Sequence, residues 1–201
     1  MGPAQDSLQR LVEHLRELFE SFAIPPGRRA HLAVSCFAIA RDHQEAVAIL
    51  LRHHLYASAF VLLRPLFEAT VKGAWLAHSA SDSDLEKHAR GEELARIKDL
   101  VRDLSRSDVP REVSELLGGV KASGWQLFSS LNHAGIEQVR RWAAPTRVEP
   151  LYEEEEIEEI ANVASLLGLV ACLETARLSG DANSVRYLQS LLPATNSTNE
   201  T

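Results

Sequence analysis

Only two cysteines and one methionine occur in 201 residues. Cys36 and Cys172 each stand alone inside an apolar stretch, with no second thiol or imidazole at metal-ligand spacing. They build neither a disulfide framework nor a zinc site, and each reads as a buried, reduced thiol. Basic residues are outnumbered, 21 Lys and Arg against 28 Asp and Glu, for a net charge of −7. That balance argues against a protein devoted to coating nucleic acid, because such binding rests on neutralising phosphates. No run reaches the roughly 18 uncharged apolar residues that a membrane-crossing helix needs, so no membrane partner is expected. Glycine-rich phosphate loops, a GxSxG elbow, CxxC pairs and HExxH are all missing. The N-terminal stretch carries charge throughout instead of a basic start and an apolar core, so a cytoplasmic protein without a secretory leader is expected.

What the chain has in quantity is helical periodicity. Leu8, Leu11, Val12, Leu15, Leu18 and Phe19 recur at helical spacing and stop at Ile24-Pro25-Pro26-Gly27. Residues 28–53 and 55–80 predict two helices that are apolar on most faces, as helices at the centre of a bundle are. Ser81 to Asp84 is a helix-start signal, and a single helix is expected over 84–105. A short helix is expected from 109 to Gly118-Gly119, and another over 124–132 ending at Gly135. Glu153 to Glu156 is the acidic first turn of a last long helix, favoured by the helix dipole. A short amphipathic helix follows over 181–192. No strand pattern or internal repeat is present. The expected architecture is a single all-α domain over 1–192, a bundle of five to seven helices, with residues 193–201 as a disordered tail.

The stretch 55–80 holds the most unusual pattern. Arg64, Glu68 and Lys72 follow one another at i, i+4 and i+8, one row on one face of a very apolar helix. Charged side chains are seldom fully buried without partners. Pro65, inside the same helix, predicts a kink beside Arg64, and Trp75 lies further along it. Two later clusters could join this row: Asn132-His133 at a helix end, and Arg140-Arg141-Trp142. One reading is a structural ion network in which Glu68 pairs with Arg64 and Lys72, and with Arg140 across the bundle. The other is a site in which Glu68 and His133 exchange protons, while Arg64, Lys72, Asn132, Arg140 and Arg141 bind an anionic group such as phosphate. A metal held by Glu68, His133 and His78 lacks the spacing such sites use, and no metal or cofactor is expected.

RPLFEA (64–69), KGAWL (72–76), LNHAG (131–135) and RRW (140–142) together resemble a family of uncharacterised bacterial all-helical proteins. The resemblance spans residues 28–178 and implies a helical fold. It also implies that Arg64, Glu68, His133 and Arg140 belong together. A more distant likeness is to HEPN domains, helical bundles of toxin and antiphage systems that often act as dimeric ribonucleases. Their signature is an Arg, then roughly four to six intervening residues, then a His on the same helix. None of the eight histidines has an Arg at that distance, the nearest case being Lys72 and His78. Helices apolar on more faces than one small bundle needs predict a homodimer through a helical face. The resemblances imply a ligand-binding or protein-interaction module of bacterial stress or defence. The alternative is a HEPN-like ribonuclease or nucleotide-processing toxin using Glu68, His133, Arg64 and Arg140, so nucleotide, RNA and protein partners all stay open.

Overall fold

The computed structural model describes residues 2–131, 136–142 and 147–193. Among them the chain is all-helical, in nine helices: α1 (Pro3–Ser21), α2 (Arg28–Arg52), α3 (Tyr56–His78), α4 (Asp82–Ala89), α5 (Ile97–Leu104), α6 (Arg111–Leu131), α7 (Ile136–Arg140), α8 (Glu154–Ser179) and α9 (Ala182–Leu191). The expected tail, apart from Pro193, lies outside the described residues, as do Asn132, His133 and Gly135.

The core is built on α2, α3 and α8. Phe37, Phe60, Leu63, Phe67, Leu167 and Val170 are fully or almost fully enclosed there. Two close approaches set the spacing of these helices. Phe37 of α2 lies over Gly73 of α3, where an added Cβ would come within 2.5 Å of the ring. Gln44 of α2 lies over Gly168 of α8, where an added Cβ would come within 2.0 Å of the amide carbon. Interiors pack at crystal density, so these glycines are contact surfaces between helices. Leu8 and Val12 seat α1 on this core, and α9 closes a smaller apolar cluster around Leu15, Leu173 and Leu188.

By length and composition α8 could cross a bilayer, yet 72% of its apolar window is buried inside the bundle. It is therefore a core helix. Its start behaves as the acidic run implies: Glu153 caps it, and the Glu153 backbone N–H donates to Glu156 Oε2 at 3.3 Å. Both cysteines are buried and free, as expected.

Two expected boundaries are corrected. The single helix over 84–105 is two, α4 and α5. Gly91, at φ +87°, ends α4. Its N–H bonds the His88 carbonyl at 2.9 Å and the Glu92 N–H bonds the Lys87 carbonyl at 3.1 Å, the paired closure of a left-handed helix end. Residues 90–96 then cross to α5 without helical structure. Conversely, Gly118-Gly119 does not stop a helix. Both lie inside α6, with open space where a side chain would stand.

Candidate functional site

The charged row on α3 is half-buried and, among the described residues, resolves into one pair and one cation without an ion pair. Arg64 Nε donates to Glu68 Oε1 at 2.8 Å, with the two side chains 32% and 25% exposed. The guanidinium of Arg64 also lies 5.1 Å from the ring centroid of Trp125 on α6, and that ring leans on Phe67 at 6.0 Å. In isolated helices an acid preceding a base by four residues is the better order, which favours Glu68–Lys72. The opposite pair forms here because Trp125 offers the planar guanidinium a face to stack on, which an ammonium uses less well. The aromatic partner is thus Trp125, while Trp75 is buried in the core.

Lys72 is left with no ion pair among the described residues. It lies near Cys36, whose thiol burial pushes up and the ammonium only partly draws back. Beside Glu68 and Lys72 opens a cleft of about 430 Å³, walled on its far side by the connection between α4 and α5. That wall contributes His88, Glu92, Glu93 and Arg96. Arg90 engages Glu92 at 3.1 Å, whereas Arg96 has no ion pair among the described residues. Among the described residues the cleft therefore offers two cations without an ion pair, Lys72 and Arg96, beside three carboxylates: Glu68 held by Arg64, Glu92 held by Arg90, and Glu93.

The other expected site residues are placed elsewhere or lie outside the described residues. Asn132 and His133 are in the latter group. Arg141 bonds Glu156 of α8 at 2.5 Å and stacks over Phe60, 5.9 Å from its centroid. Phe60 precedes Arg64 by four residues and Glu68 by eight, about 6 and 12 Å along a helix, so Arg141 belongs to the N-terminal end of α3. Arg140 is exposed on α7, and α7 is tied to that same end by Gln138, whose Nε2 donates to the Ala57 carbonyl at 3.0 Å. Within the described residues the structure thus brings together Arg64, Glu68 and Lys72, and sets Arg141 apart.

A family model for a family of unknown function, DUF6988, matches residues 37–196, most of the chain. The chain belongs to the DUF6988 family. No curated protein and no solved structure matches it. The matched DUF6988 stretch contains the whole cleft and, of the nine described helices, leaves out α1 and the start of α2.

The DUF6988 fold also holds a polar network that the sequence reading passed over. Glu174 of α8 is fully buried. Its Oε2 accepts from His78 Nε2 at 2.5 Å, and its Oε1 accepts from Arg177. Arg177 reaches on to Glu112 of α6 at 2.5 Å. Partial burial pushes the Glu112 carboxyl up, but its backbone donor, Gln189 and Arg177 outweigh this and hold it below its ordinary value. His78 follows Glu68 by ten residues, about 15 Å along α3, so the two cannot share a metal. Among the described residues no group of three or more His, Cys, Asp or Glu could hold a metal ion. Because both Glu174 oxygens are taken and no described cavity reaches them, this network fastens α3, α6 and α8 together. The one Glu in the apolar run LVACLETARL was its sequence signal.

Proposed function

We propose that this DUF6988 protein is a non-enzymatic binding module for a small ligand with an anionic group, held in the cleft between α3 and residues 90–96. The observation that carries this reading is Lys72, an ammonium without an ion pair among the described residues, at a cleft of about 430 Å³. That volume lies within the range of small-ligand sites. Arg96 on the opposite wall gives the anion a second donor, and Glu68, fixed by Arg64, can accept a hydrogen bond from a hydroxyl or amine of the same ligand. The reading accounts for the odd pairing on α3: stacking on Trp125 commits Arg64 to Glu68 and thereby leaves Lys72 for a ligand.

The test is calorimetric titration of the full chain with inorganic phosphate, adenosine monophosphate and succinate. At least one should bind, and Lys72→Ala and Arg96→Ala should each weaken it by about tenfold, the usual cost of one charge-assisted contact. No binding by any probe, or binding indifferent to Lys72→Ala, overturns the proposal. The ribonuclease alternative is tested alongside: RNA cleavage by the wild type that disappears in Glu68→Gln would select it.

A further inference from the structure

The chain leaves α2 through His54, whose backbone is left-handed at φ +56°. The Leu55 N–H bonds the Leu50 carbonyl at 2.9 Å, which closes that helix end, and α3 starts at Tyr56. This turn holds two rings together. His54 Nδ1 lies 2.6 Å from the Tyr56 hydroxyl, and the rings meet edge to face with centroids 5.6 Å apart. Tyr152, just ahead of α8, adds a third ring, 5.4 Å from Tyr56 and inclined to it by 52°. Tyr152 is steadied from behind by the core ring of Phe60, 5.1 Å away.

The three rings line a cavity of about 340 Å³, completed by the start of α1 and by Glu154, Ile157 and Glu158 of α8. Glu154 and Glu158 stand one helical turn apart on the same face, where like charges repel. Neither has an ion pair among the described residues, and no lysine or arginine lines the cavity. The positive end of the α8 dipole is already answered by the Glu153–Glu156 capping box. Aromatic rings beside unneutralised carboxylates are the combination that attracts a cation carrying carbon substituents.

We infer that this cavity is a second binding site, one that takes a small organic ammonium ion. The charge is held by Glu154 and Glu158, and the carbon substituents rest on Tyr56 and Tyr152. A cavity of this size lies at the lower end of the range for small-ligand sites, which suits an ion of about the size of choline. The site is distinct from the α3 cleft. Tyr56 precedes Glu68 by twelve residues, about 18 Å along a helix, and the two sites select opposite charges. The inference therefore stands whether or not the cleft binds an anion.

Calorimetric titration of the full chain with choline chloride and with butylammonium chloride tests this, with sodium chloride at matched ionic strength as the blank. At least one ammonium should saturate a single site, and the stronger of the two shows whether a methylated or a primary head is preferred. Tyr56→Leu and Glu158→Gln should each weaken binding by about fivefold. Tyr56→Phe keeps the ring and should stay within about twofold of the wild type. Glu158 is partly exposed, so Glu158→Gln keeps the inference testable should Tyr56→Leu fail to fold. Binding of neither ammonium, or binding indifferent to Glu158→Gln or to a folded Tyr56→Leu, overturns the inference. So does a Tyr56→Phe protein as weak as Tyr56→Leu, because the hydroxyl and not the ring would then be responsible.

Discussion

His78 Nε2 lies 2.5 Å from Oε2 of Glu174, a carboxylate with no exposed surface at all. A buried charge is tolerable only while its partners remain, and removing one side of such a pair leaves the others desolvated and uncompensated. Glu174→Ala strands His78, leaves Arg177 with Glu112 alone, and should lose roughly 3–5 kcal/mol, read as a lower urea midpoint at unchanged slope. Glu68→Ala is the control. Its pair with Arg64 is partly exposed, and such pairs contribute only about 0–1 kcal/mol. Equal losses in the two variants would contradict the division of labour drawn here, with Glu174 fastening helices and Glu68 facing a cleft.

The contact of Gln44 with Gly168 yields a second expectation. Neither amide atom of Gln44 meets a hydrogen-bond partner among the described residues, and the side chain is fully buried. A methyl group at 168 would stand within 2.0 Å of the amide carbon. Gly168→Ala should therefore destabilise by about 1–3 kcal/mol, the range for overpacking. Gln44→Ala vacates that space, so adding it to Gly168→Ala should recover most of the loss. A double-mutant cycle with strongly favourable coupling is the expected result, and strict additivity would mean that α2 and α8 do not meet there.

How much of this was legible in the residues depended on whether the signal was local. The all-helical bundle, the three core helices, the buried cysteines and the acidic cap of α8 follow from periodicity and capping chemistry, which short stretches carry whole. Arg64, Glu68 and Lys72 were legible as a row for the same reason. Which of them pair was not, because the choice is made by Trp125, 57 residues beyond Glu68 in the chain. Glu174 went unread although a lone acid in an apolar run was visible, since its partners come from α3 and from the following turn of α8. Gly91 and Gly118-Gly119 were read in reverse. A glycine stops a helix only where the chain takes the left-handed conformation, and tertiary packing decides where that happens.

The glycine pair in α6 can be tested directly. Gly118 and Gly119 are helical, and a Cβ at either would meet nothing within 4 Å. Glycine inside a helix costs about 0.5–1 kcal/mol relative to alanine through the freedom it loses on folding. Gly118→Ala and Gly119→Ala should each raise stability by about that amount, seen as a higher melting temperature, with nearly additive effects in the double variant. A loss of stability in either would mean that something covers this side of α6.

The last expectation concerns alkaline pH. Burial pushes the Cys172 thiol from 9.0 up to about 12, an effect only partly offset by the nearby Arg41 guanidinium. The sign follows from proton counting. Between these two values the unfolded chain has released the proton that the folded chain retains, so the folded state binds more protons and stability falls as pH rises. Below pH 9 both states hold the proton and Cys172 contributes no slope. Urea unfolding followed from about pH 8 to pH 10 should therefore show a steeper decline for the wild type than for Cys172→Ala, which lacks the titrating group. The same burial predicts chemical inertness, because the thiolate is the reactive form. Iodoacetamide should modify neither cysteine in the folded protein at neutral pH and both after unfolding in urea. Rapid labelling of Cys172 in the native chain, or identical pH slopes for the two proteins, would show that α1 and α8 open around that thiol more readily than their packing implies.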